Sequence, residues 1–167
     1  MNKCKVCNCD LGDIPMCFGS SSPASLMVPE SEYRNRVEEN ADQCIVDGQH
    51  FFVRGHIEIP VRDIDEVFMW SVWVSLSEQS FTHMSDHWDT EGRESNAPYF
   101  GWLMTKLPCY TDTLHLRTSV QTQPIGCVPK IKLEPSDHPL SLEQQRGIDM
   151  DRVHDIVHQV MHHSTAD

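Results

Sequence analysis

The clearest signal along the chain is the run Phe68-Met69-Trp70-Ser71-Val72-Trp73-Val74-Ser75-Leu76. Side chains on a strand point to opposite faces in turn, so this run predicts a central strand. Phe68, Trp70, Val72, Val74 and Leu76 share its apolar face, with Met69, Ser71, Trp73 and Ser75 on the other. Upstream, Cys44 to Asp47, Phe51 to Arg54 and His56 to Pro60 read as short strands, with Asp47-Gly48 and Gly55 as turn or bulge positions between them. Downstream, Thr113 to Val120 and Lys130 to Leu133 alternate again, while Tyr99 to Leu103 is aromatic and ambiguous.

Helical spacing replaces alternation in four places. Ser77 is placed to cap a helix carrying Phe81, Met84 and Trp88, which implies a strand-to-helix crossover. Leu140 to Arg146 reads as a short helix ended by Gly147. Asp149 caps a final helix on which Val153, Ile156, Val157 and Val160 form one apolar stripe, with Ile148 positioned to staple onto Val153. Pro29 to Val37, with proline and acids early and arginine late, reads as a surface helix. The residues from 10 to 29 are rich in Gly, Ser and Pro. No internal repeat is evident, and strands without regular alternation with helices point to an α+β class. The expected architecture is a single domain over 1–167: a mainly antiparallel sheet packed by helices, with an N-terminal cysteine knuckle at 1–17 and a loop at 18–29.

Charge narrows the partner class. Asp and Glu number 25 against 13 Lys and Arg, a net charge of -12. Affinity for a phosphate backbone comes largely from Lys and Arg, so nucleic acid is disfavoured and a basic protein partner is expected. The first residues lack an apolar signal-peptide core and no long apolar run occurs, which predicts a cytosolic protein away from the membrane.

Seven cysteines in a reducing compartment argue against a disulfide framework. Cys4-Lys5-Val6-Cys7 is a CxxC, a spacing that brings two thiolates to one ion, and soft sulfur ligands favour zinc. Redox work and plain surface thiols are the alternatives for the same spacing. Cys44, at the start of a predicted strand, is the candidate third ligand, or else a small buried hydrophobe. Cys9, His50 and His138 compete for the fourth position.

Other groups with chemical potential are scattered. Asp137-His138-Pro139 lies between a predicted strand and helix, where a carboxylate beside an imidazole serves either catalysis or a turn. Arg54 and Glu58 lie four apart on a strand, and an inward arginine would pair with Glu58 or Asp47 as a structural network or a ligand clamp. Trp73, on the less apolar face, is a candidate to line a groove with Tyr99 and Trp102. His154, His158 and His162 fall on a helix face away from the apolar stripe and read as a solvated polar face. No nucleophile elbow, P-loop, HExxH or dinucleotide fingerprint occurs, so the balance leans away from an enzyme.

In order, Cys4-x-x-Cys7, Gln43 to Gly55, Glu58-Ile59-Pro60-Val61, Trp70 to Leu76, Phe100-Gly101-Trp102-Leu103 and Asp137-His138-Pro139-Leu140 resemble the bacterial domain-of-unknown-function family 2199. The resemblance implies a stand-alone bacterial protein and places Cys4, Cys7 and Cys44 at family motif positions. It implies no activity. The family pattern often continues CxxCGxxH, whereas this chain has Asn8 and Leu11 at those places. The favoured expectation is a zinc-stabilised, acidic protein-binding module. Two alternatives stand beside it: a metal-dependent hydrolase or transferase with Asp137 and His138 near the ion, and an immunity-type inhibitor of a basic toxin.

Overall fold

A computed structural model describes residues 2–3, 10–12 and 14–163. The N-terminal elements are β1 (Asn2–Lys3), β2 (Asp10–Gly12), β3 (Cys17–Phe18), α1 (Ala24–Met27), α2 (Tyr33–Arg36), β4 (Val37–Glu39) and β5 (Gln43–Val46). There follow β6 (His50–Val61), β7 (Glu66–Leu76), α3 (Glu78–Asp86), β8 (Tyr99–Leu103), β9 (Arg117–Gln121) and β10 (Lys130–Leu133). Two helices, α4 (Pro139–Arg146) and α5 (Met150–His163), end the described chain.

Strands β6 to β10 form an antiparallel meander. In five alternating strands the first and last run the same way, and β10 lies parallel to β6 with Lys130 opposite His56. The meander thereby closes into a five-stranded barrel. This corrects the expected antiparallel sheet packed by helices. Alternation tells which side chains face a core, and it reads the same for an open sheet under helices and for a sheet closed on itself.

The seam depends on Gly55. A Cβ there would lie 2.7 Å from both Ile131 Cδ1 and the Pro129 carbonyl oxygen, so β10 approaches only because glycine has no side chain. The neighbouring His56 N–H donates to the same Pro129 oxygen at 3.0 Å. β6 therefore runs unbroken through Gly55, where the sequence suggested a turn or bulge. Asp47 and Gly48, both at positive φ, do make the turn from β5 into β6.

The apolar face predicted for β7 is inward: Phe68, Trp70, Val72, Val74 and Leu76 join Ile57, Ile59, Leu103, Val120, Ile131 and Leu133 in one buried cluster. Val153, Ile156 and Val157 of α5 belong to the same cluster, so this helix packs its apolar stripe against the barrel core. It is tied there by the Met150 N–H to the Asp63 carboxylate, at 2.9 Å, in the β6–β7 turn. The predicted caps hold: Ser77 Oγ accepts from the Ser80 N–H and Asp149 Oδ1 from the Arg152 N–H.

A second, smaller cluster lies outside the barrel, where Cys44, Val46, Phe52 and Trp73 are covered by Ala24 and Val28. The stretch read as a loop at 18–29 thus contains α1 and packs on the sheet. No cysteine knuckle exists among the described residues. Instead, β1 pairs with β2, and β3 lies parallel to β7 with Cys17 exposed. Cys4, Cys7 and Cys9 lie outside the described residues. No helix among the described residues is long and apolar enough to cross a membrane.

Candidate functional site

Strand β8 carries the most exposed aromatic pair of the barrel. Its inward residues Tyr99, Gly101 and Leu103 are buried, which leaves Phe100 and Trp102 outward, 51 % and 38 % exposed. The two rings meet edge to face at 5.0 Å between centroids. Across on β9, the Arg117 guanidinium sits over the Trp102 ring at 5.4 Å.

Trp102 is a ridge between two grooves. On one flank a groove of about 530 Å³ is lined by Met27, Phe51, Phe52, Leu76 and Met104, with His50 and His115 at its polar side. On the other flank a groove of about 370 Å³ runs along His115, Arg117 and the segment from Leu133 to Ser136. His115 faces both. Its φ of 67° is uncommon for a side-chain-bearing residue. The conformation is held by its N–H donating to Leu103 O at 2.7 Å, while the Leu103 N–H donates to Leu116 O at 2.8 Å. This kink interrupts the strand predicted from Thr113, so β9 begins only at Arg117.

The other sequence candidates fall away from the grooves. Trp73 is 4 % exposed in the outer cluster and donates its indole N–H to Ser20 O at 3.3 Å. Tyr99 is buried and its hydroxyl meets His83 Nδ1 at 2.6 Å, so neither residue shares a surface with Trp102. Arg54 bonds Ala41 O, Ser71 Oγ and Asp42 Oδ1 at 2.9, 3.1 and 2.9 Å, and so serves as a structural clamp. The carboxylates proposed for it are engaged elsewhere: Glu58 with Lys130 at 3.4 Å, and Asp47 with Arg36 at 2.8 Å. The Arg36 guanidinium holds the Asp47 carboxyl below its usual range.

His138 is the N-cap of α4. Its Nδ1 accepts from the Leu140 N–H at 3.1 Å and its Nε2 faces the Thr111 and Asp112 carbonyls at 3.2 and 3.0 Å. Both ring nitrogens are thereby engaged with the main chain, Nδ1 as the cap acceptor and Nε2 against two carbonyls. Asp137 beside it is exposed.

The metal-binding assignment is also corrected within the described residues, where no group of three or more His, Cys, Asp or Glu converges to hold an ion. Cys44 is fully buried, and burial pushes its thiol up to about 11, which suits a small hydrophobe. His50 is exposed at the start of β6 and lines the larger groove, while Cys44 lies opposite Phe52. On α5, His154 is half-buried and its Nδ1 is a buried atom without a hydrogen-bond partner, a departure from the solvated face read from sequence.

Two polar networks escaped the sequence reading. Arg93, 5 % exposed, donates to the carbonyls of Gln123, Trp88, Pro124 and Cys127 at 2.8 to 3.1 Å. It lies in a polar loop whose composition gives no hint of burial. Tyr110 accepts from Trp70 Nε1 at 3.2 Å and donates to Glu143 at 2.9 Å, and Glu143 pairs with Arg152 at 2.8 Å. Burial pushes the Tyr110 hydroxyl well above its ordinary value. Both networks fasten loops and helices to the barrel.

A family described as an uncharacterized protein conserved in bacteria, domain-of-unknown-function family 2199, matches residues 3–148. No curated protein and no solved structure matches.

Proposed function

The chain belongs to this uncharacterised bacterial family, which supplies no activity, and from the site we propose that it is a protein-binding module docking a partner segment along the Trp102 ridge. One observation carries the reading: Trp102, edge to face with the exposed Phe100, stands exposed between two grooves, the larger of them lined by Phe, Met and Leu. Aromatic residues, Met and Arg are the types enriched where proteins meet, and Trp, Tyr and Arg are the types enriched among the residues that carry most of the binding energy. Arg54, read from sequence as a structural network or ligand clamp, and His138, read as a weak catalytic candidate, are both engaged in bonds that hold the fold. The net charge of -12 supports approach of a partner with a basic surface, since long-range steering follows net charge.

The test is a partner captured by crosslinking, identified by mass spectrometry and titrated against wild type and Trp102→Ala. A hot-spot tryptophan contributes about 2 kcal/mol or more, so the variant should bind about 30-fold more weakly at an unchanged thermal midpoint. Equal affinity of both proteins would remove the ridge from the interface.

A further inference from the structure

The charge of this chain is unevenly distributed in a way that bears on what the ridge holds. With 25 acidic against 13 basic residues overall, β8, β9 and β10 contain no acidic residue, and Arg117, Lys130 and Lys132 are all exposed on them. Register places two of these cations, Arg117 and Lys132, beside the aromatic pair: Trp102 lies opposite Arg117, Phe100 opposite Ser119, and Ser119 opposite Lys132. Between Arg117 and Lys132 runs a groove of about 520 Å³ bounded by Phe100, Arg117, Ser119, Lys132, Pro135 and one carboxylate, Glu134.

The cations differ in how far they are committed. Lys130 is paired with Glu58 at 3.4 Å. Arg117 meets Glu134 only at 4.0 Å, with side chains 62 % and 57 % exposed, a contact worth little in water. Lys132 makes no ion pair with a described residue. Arg117 is further oriented by the Trp102 face, so its fork is presented toward solvent with less freedom to lose on binding.

We propose that the segment docked here carries a carboxylate side chain next to an apolar or aromatic one. The apolar group packs on Phe100 and Trp102, and the carboxylate accepts hydrogen bonds from Arg117 and Lys132. The inference rests on reading this face as a protein-docking site. Steering and contact then differ in sign: distant charges attract a basic surface, while the face itself selects one acidic residue. A polyanion is disfavoured, because each further phosphate meets the field of a chain at -12.

Blocked peptides Gly-Phe-Glu-Gly, Gly-Phe-Gln-Gly and Gly-Phe-Lys-Gly, and a short oligothymidylate, serve as probes, titrated while the Trp102 indole N–H resonance is followed. Trp102→Phe assigns that resonance. The Glu peptide should bind about tenfold more tightly than the Gln and Lys peptides, and Arg117→Gln or Lys132→Gln should erase the difference at an unchanged thermal midpoint. Equal binding of the Glu and Gln peptides, or tighter binding of the Lys peptide, overturns the acidic selectivity but leaves docking intact. A Trp102 resonance moved by no peptide overturns the docking site itself. Tighter binding of oligothymidylate than of the Glu peptide overturns the proposal in favour of a stacked nucleic-acid strand.

Discussion

Arg93 shows how a charged side chain is stabilised without a carboxylate: four main-chain carbonyls surround its guanidinium and fasten the loop after β9 to the loop after α3. Arg93→Met keeps much of the stem but leaves those oxygens without their donors. Its cost should be about 2–4 kcal/mol, read as a lower urea midpoint at unchanged slope. His138 makes the opposite lesson, since its residue type suggests chemistry and its bonds are structural. His138→Ala should lose about 1 kcal/mol, the usual worth of a cap, and His138→Asn less, because an Asn side chain also accepts from the first turn. Equal losses in the two variants would mean that the cap contributes nothing and the Thr111–Asp112 side carries the effect. Both residues are legible only as types in the sequence, because what an imidazole or guanidinium does depends on which distant backbone atoms meet it.

At the scale of elements, local rules worked where the information is local. The apolar face of β7, the Ser77 cap, the Gly147 stop and the α5 stripe are all set by neighbours a few residues apart. Trp102 is a sequence candidate on an ambiguous segment while Phe100 is missed there, and alternation against Tyr99, Gly101 and Leu103 is the signal that sets both outward. Closure and the cover over Trp73 were not legible, because each joins segments far apart in sequence. Gly55 meets Pro129 and Ile131, and Ala24 with Val28 covers Trp73 from a Ser-rich stretch that reads as loop.

Gly55→Ala should therefore cost about 1–3 kcal/mol, the range for overpacking, and accelerate amide exchange at His56 more than at β7 amides. Uniform acceleration would show that the seam does not open separately. The same seam carries a pH dependence. Burial, and Arg54 nearby, lower the His56 pKa below its ordinary 6.5. The unfolded chain then binds a proton that the folded chain resists, so stability falls as pH drops below about 6.5 and continues to fall until the folded group itself titrates. His56→Gln should flatten that part of the stability profile; an unchanged profile would assign the dependence to other histidines.

For the whole molecule, the two hydrophobic clusters imply two levels of stability. The barrel interior draws on all five strands and α5, whereas the outer cluster joins only α1 and neighbouring residues to one side of β5, β6 and β7. A small satellite cluster buries too little apolar surface to match the free energy of the main core, so the cover formed by Ala24 and Val28 should lift while the barrel stays closed. Cys44 reports that event, because it is fully buried beneath the cover and its thiol is pushed up to about 11. Thiol labelling of Cys44, followed by mass spectrometry in low urea, should proceed with a lower opening free energy and a shallower urea dependence than exchange of the β7 amides. The two should converge only near the global midpoint. If Cys44 labelling shares the free energy and slope of the β7 amides throughout, barrel and cover unfold as one unit. The larger groove, which borrows Met27 from that cover, would then be as rigid as the barrel wall; with separate opening, its Met27 side becomes the adjustable one and Trp102 the fixed one.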